Sequence, residues 1–149
     1  MSNRSSRNIT LNKEDIQKCR SFAEKFASFE AEKSDLDFGS ITNMSRDLID
    51  KTADIMTGKL AEVAFNKFCE LSEFKIGIDF DIYKGRLNID NGQDITSFQG
   101  KANKIKCDIK GTKHFAQWLL VEEHKINEEL IFSDIYIFVK LILPQGVEK

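Results

Sequence analysis

Asp108 and Lys110 stand two positions apart in a segment, Lys104–Gly111, whose odd positions Ile105, Cys107 and Ile109 are apolar and whose even positions are charged. That alternation predicts a strand, with Lys104, Lys106, Asp108 and Lys110 leaving one face. An acid beside a lysine on a strand face is, taken alone, most simply a surface ion pair. Asp94 adds a second acid. It follows the tight turn Asn91-Gly92-Gln93 and so begins the adjoining strand, with Gly100–Asn103 as the turn between the two. If these strands pair as a hairpin, the beginning of one lies opposite the end of the other, and Asp94 comes close to Asp108 and Lys110. Two carboxylates that meet at a strand edge repel each other unless a cation sits between them. Oxygen-only ligation of that kind suits Mg²⁺, with Mn²⁺ as a substitute.

The elements that must position these groups change character along the chain. Met1 to Asn8 is polar, and residues 1–11 read as a flexible tail, 12–72 as helical, and 75–143 as a strand-rich core. Asn12 is a good N-cap, with Glu14 and Asp15 in the first turn. Ile16, Cys19, Phe22, Ala23, Phe26 and Phe29 then recur at helical spacing and form a stripe for the core or a subunit contact. Asp35 to Ser40 reads as a connection. Further helical periodicity runs over Ser45–Thr57 and Lys59–Leu71, and Gly58 either kinks one helix or separates two. The period then falls to two. Strands are expected at Ile76–Tyr83, Asp94–Phe98, Ile105–Gly111, Trp118–Glu123 and Ile135–Leu143, the last apolar on both faces as if covered on both sides. The expected class is α/β: one domain over residues 1–149, a mixed β-sheet flanked by helices, with a helical N-terminal half.

Gly92-Gln93-Asp94, followed after a short hairpin by Cys107-Asp108-Ile109-Lys110-Gly111-Thr112, resembles the core motif of the PD-(D/E)xK nucleases, the restriction-endonuclease-like superfamily. Gly58-Lys59-Leu60-Ala61-Glu62-Val63-Ala64-Phe65 is similar to the helix that precedes that core. The resemblance spans roughly Gly58 to Leu141, and Gln93 stands where the motif nominally has proline. It implies a restriction-endonuclease-like core in which Asp94 and Asp108 bind Mg²⁺ and Lys110 assists the attacking water. It also implies that Glu62 joins the metal site directly or through water.

Phosphodiester hydrolysis needs a nucleophilic water, neutralised transition-state charge and a stabilised leaving oxygen, much of which bound Mg²⁺ supplies. On this reading Asp94, Asp108, Glu62 and the backbone carbonyl of Ile109 hold the metal. Lys110 lies near the scissile phosphate. Lys106, Lys113 and His114 are the candidates for phosphate contact, within a cluster that includes Lys101 and Lys104. Without the resemblance, Glu62 reads as a solvated glutamate. Asp79 and Asp81 read as a solvated strand face, Glu122 or Glu123 as a remote extension of the acidic site, His114 and His124 as ordinary polar residues, and Trp118 as core.

Bulk composition limits the alternatives. The 149 residues are 41% hydrophobic and 31% charged, a globular balance. The apolar segment Ile135–Leu143 is too short to span a bilayer, and the N-terminus has no apolar signal core, so a cytoplasmic protein is expected. Cys19, Cys69 and Cys107 are odd in number, lack ligand spacing, and read as small core residues in a reducing compartment. A net charge of −2 speaks mildly against DNA binding as a bulk property, although a carboxylate metal site contributes acid of its own. The expectation is therefore a Mg²⁺-dependent endonuclease acting on DNA, in a restriction or defence setting, alone or as a homodimer or part of a larger complex. The alternatives are a repair or junction-resolving nuclease, and a non-catalytic DNA-binding or assembly module with the nuclease fold. The last strand lies close to the end of the sequence, which suggests a minimal enzyme, a fragment or a subunit.

Overall fold

Asn12 opens the first helix with a reciprocal cap. Its side-chain carbonyl accepts from the Asp15 N–H at 2.9 Å, while the Asp15 carboxylate accepts from the Asn12 N–H at 3.0 Å. In this computed structural model, which describes residues 8–36, 48–80, 94–102, 104–117 and 133–143, helix α1 spans Lys13–Leu36. It absorbs Asp35 and Leu36 from the expected connection. Leu11, assigned from sequence to the tail, packs against the core.

Helix α2 spans Leu48–Leu71 and passes through Gly58 unbroken. One glycine costs a helix about 1 kcal/mol. Burial of Leu60, Ala61, Val63 and Ala64 immediately after it outweighs that cost. The two helices meet through small residues: Cys19, Ala23 and Ala27 on α1 are almost completely buried. The expected stripe is thereby rotated, since Phe22 and Phe26 are only half-buried. The side chain of Phe29 lies outside the described residues.

The strands form two small sheets. Strands β1 (Ile76–Ile78), β2 (Ile95–Phe98) and β3 (Lys101–Ala102) are antiparallel in the order β1-β2-β3. Strands β4 (Cys107–Lys113) and β5 (Ile135–Leu141) are parallel, with Asp108 opposite Tyr136. The turn between β2 and β3 is Gln99-Gly100, both at positive φ (50° and 75°), earlier than the expected Gly100–Asn103. Positive φ at both central residues matches the right-handed twist of a two-residue hairpin, and it favours glycine at the second.

Strand boundaries differ from the alternation. β1 stops at Ile78, and the remainder of the expected strand from residue 81 lies outside the described residues. β4 starts two residues late because Lys106 is occupied at a strand end: its N–H donates to the Asp134 carboxylate and its carbonyl accepts from Ile135. The expectation that the last strand is covered on both faces is overturned. Ile135 and Phe138 are 46% and 57% exposed, and among the described residues β5 pairs only with β4. The Trp118–Glu123 strand, Asp81 and His124 lie outside the described residues.

The architecture is mixed α/β, with two helices preceding the paired strands. The layers approach closely at Gly111. A Cβ there would lie 2.8 Å from both the Ala61 Cβ and the Thr57 carbonyl oxygen. α2 therefore packs on the face of β4 that carries Cys107, Ile109 and Gly111, and alternation puts Asp108 and Lys110 on the other face. Cys19, Cys69 and Cys107 are free and buried. No helix among the described residues is long and apolar enough to cross a membrane.

Candidate active site

Asp94 reaches the site by hooking onto the edge of β4 opposite β5. Its N–H donates to the Cys107 carbonyl at 2.9 Å, and its Oδ2 accepts from the Ile109 N–H at 2.5 Å. The side chain thus supplies a bond that a neighbouring strand would otherwise make. The expected hairpin between these segments is not a regular one. β2 pairs with β1 and β3, and its register with β3 would place Asp94 opposite Ile105. A slip of the chain before β4 brings Asp94 to Cys107 and Ile109 instead.

Within a strand the N–H and C=O of one residue point to the same edge. The bonds of Lys106 and His114 go to β5, and those of Cys107 and Ile109 go to Asp94. The Ile109 carbonyl therefore lies on the Asp94 edge, as a prospective oxygen donor should.

Asp108 is 4% exposed, so the polar face of β4 is not a solvated surface. Its Oδ2 lies 2.9 Å from Lys110 Nζ. Asp94, half-buried, has its carboxyl pushed up from 3.8 to about 8. Burial is the largest cause, followed by the charge of Glu62. The Ile109 N–H opposes the rise, and the charge of Asp108 and a hydrogen bond with its carboxyl add to it. A hydrogen bond between two carboxyls requires one of them to hold a proton. Asp94 is thus the acid on which the charges of Glu62 and Asp108 both act.

Glu62, on α2, is buried and tied to Lys59 at 2.6 Å. Lys59 is buried as well, donates to the Asp79 carbonyl at 2.7 Å, and lies over the rings of Phe22 and Phe80 at 4.5 and 5.1 Å from their centroids. Sequence reasoning did not single out Lys59. The available signal was a lysine one turn before Glu62, inside an otherwise apolar stretch of helix. Cys19 sits in the same surroundings. Burial pushes its thiol up to about 11, Lys59 opposes this and Glu62 adds to it, so it remains a protonated core residue.

The fold brings together Asp94, Asp108, Ile109, Lys110 and Glu62. It does not bring Lys113 and His114 to them. Lys113 ends β4 five residues from Asp108, about 16 Å along an extended strand. His114 is exposed and packs edge-on against Phe115. Lys106 flanks the Asp108 end of the strand. Asp79 contributes its carbonyl to Lys59, and Glu122, Glu123 and Trp118 lie outside the described residues.

Among the described residues, no three or more His, Cys, Asp or Glu side chains are closed into a metal-ligating group. The arrangement offers instead two converging carboxylates, Asp94 and Asp108, with a carbonyl edge beside them and Glu62 held back by its lysine. Two acids that share a proton form a donor set that a hard divalent cation also satisfies. Compared with known proteins, the chain matches no protein-family model, no curated protein and no solved structure.

Proposed function

We propose that this chain is the catalytic core of a Mg²⁺-dependent endonuclease that hydrolyses DNA phosphodiester bonds, built on a restriction-endonuclease-like core of the PD-(D/E)xK type and serving restriction or defence. The observation that carries this reading is the meeting of Asp94 and Asp108 at the edge of β4, with Asp94 pushed up to about 8 and the Lys110 ammonium 2.9 Å from Asp108. Folding alone gives no reason to gather two acids and a lysine there, and such perturbed groups mark functional sites.

Asp94, Asp108 and the Ile109 carbonyl would hold Mg²⁺, with Glu62 as an outer acid. When bound, the ion supplies neutralising charge for the phosphate and a readily ionised water. Lys110 holds its ammonium over Asp108 on the same strand face, where it can orient the attacking water and stabilise charge on the phosphate oxygens. The hydrogen bonds of Asp94 to β4 fix its direction before any ligand arrives. Lys106, Lys113 and His114 would contact the DNA backbone, the latter two at a distance from the reacting phosphate.

A non-catalytic binding module is the second reading. The Lys110–Asp108 and Lys59–Glu62 pairs favour it, because they already balance two of the acids. The discriminating experiment is cleavage of supercoiled plasmid with and without Mg²⁺, by the wild type and by Asp108→Asn. Mg²⁺-dependent nicking that disappears in the variant is expected. A wild type that never cuts, or a variant that cuts equally well, overturns the nuclease reading.

A further inference from the structure

Lys59 is the only buried lysine among the described residues, its side chain 9% exposed. Glu62 Oε2 lies at 2.6 Å, the Asp79 carbonyl oxygen at 2.7 Å, and the ring centroids of Phe22 and Phe80 at 4.5 and 5.1 Å. An ammonium has three donors and a strong hydration shell to replace, and this cradle replaces it with two oxygens and two ring faces. The contacts come from α1, α2 and the two residues that follow β1, so the charge is anchored by the core as well as by the acid it neutralises.

We propose that Lys59 is the resident counter-ion of the carboxylate site: it balances Glu62 while no divalent ion is bound and fixes the direction of that carboxylate. The inference rests on the nuclease reading above. With one proton shared between Asp94 and Asp108, Lys59 and Lys110 balance the two negative charges that remain on the three acids. Without Lys59 one negative charge is in excess, and a buried carboxylate loses the partner that makes its burial tolerable. Lys59 therefore lowers the cost of the empty site and at the same time weakens its attraction for a divalent ion. Lys59 is a positioning residue, acting through Glu62.

The test is the thermal melting of the wild type, Lys59→Met, Lys59→Arg, the double variant Lys59→Met/Glu62→Gln and Asp108→Asn, each with and without MgCl₂. Plasmid cleavage is measured in parallel. Methionine fills the space between the two rings without charge. Lys59→Met is expected to melt below the wild type without Mg²⁺ and to gain more from Mg²⁺ than the wild type gains. Removing Glu62's charge in the double variant should restore much of the metal-free melting temperature. Lys59→Arg should keep the wild-type response, and Asp108→Asn should lose it. Cleavage by Lys59→Met should fall even at saturating Mg²⁺, since Glu62 is no longer oriented.

A lysine that merely packs would lower the metal-free and metal-loaded melts equally, and equal Mg²⁺ responses in wild type and Lys59→Met overturn the proposal. If Lys59→Met is unfolded without Mg²⁺, recovery of helical circular dichroism on adding MgCl₂ supports it, and failure to recover overturns it. A wild type that shows neither a Mg²⁺-induced rise nor cleavage removes the nuclease reading itself. A wild-type rise that Lys59→Met merely copies removes only the counter-ion.

Discussion

Asp94 is bound to β4 by two hydrogen bonds, yet its carboxyl sits far above the range of an exposed acid because burial and the charges of Glu62 and Asp108 outweigh the Ile109 N–H. Between pH 3.8 and about 8 the folded chain keeps a proton that the unfolded chain has released. Stability from this group is therefore greatest at low pH and is lost as pH rises through about 8. The metal-free protein should melt progressively lower across that window, and Asp94→Asn should flatten the trend. Mg²⁺ competes with the same proton, so its binding should tighten with pH and release a proton on mixing. A metal-free melting temperature that does not change with pH would contradict this account. Asp108→Asn and Lys110→Ala should each reduce Mg²⁺-dependent cleavage by roughly 10²-fold or more while leaving DNA affinity largely in place. Comparable cleavage by either variant in a plasmid assay would count against its assigned role.

At the scale of elements, the contact of α2 with β4 sets how far Glu62 stands from the two aspartates. Gly111 permits that contact, with Ala61 and the Thr57 carbonyl where a side chain would be. Gly111→Val should cost about 1–3 kcal/mol of stability, measured by urea denaturation, because neither the small alanine nor the helix backbone can yield easily. Cleavage should fall in parallel, since the helix carrying Glu62 is pushed away from β4. Gly58 offers the opposite case. It lies within α2, and a Cβ there would meet nothing within 4 Å. Gly58→Ala should raise stability by about 0.5–1 kcal/mol and leave cleavage unchanged. A destabilised Gly58→Ala protein would mean that the helix needs its glycine for a bend or contact.

For the whole molecule, a net charge of −2 means that the DNA binding proposed above would have to come from local lysines rather than from the overall field. Lys101 and Lys104 are exposed, and Lys106 and Lys113 flank the two ends of β4. Binding to duplex DNA in Ca²⁺, followed by fluorescence anisotropy, should weaken steeply with salt. Lys106→Ala and Lys113→Ala should each reduce the log–log salt slope by about 0.9 if each neutralises one phosphate. Salt-independent affinity, or variants with unchanged slope, would separate these lysines from the DNA.

Local chemistry was legible in the residues themselves. The Asn12–Asp15 cap, the helical period of α1 and α2, and the spacing of Asp108 and Lys110 involve groups within a few positions of each other, so chain geometry alone relates them. The approach of Asp94 to β4 was also readable, because a turn must return the chain, but its register was not. Alternation says which face a residue takes and not how far a strand slides, and the slip follows from Asp94 bonding Cys107 and Ile109 rather than continuing the hairpin. Asp108 and Lys110 have the alternation of a solvated face, whereas the folded chain buries Asp108. Lys59 shows the limit most clearly. Its contacts lie 3, 20 and 21 positions from it in Glu62, Asp79 and Phe80, and 37 positions back in Phe22. A one-dimensional pattern assigns a lysine to solvent, and only packing of α1 and β1 against α2 brings together the oxygens and rings that replace its water.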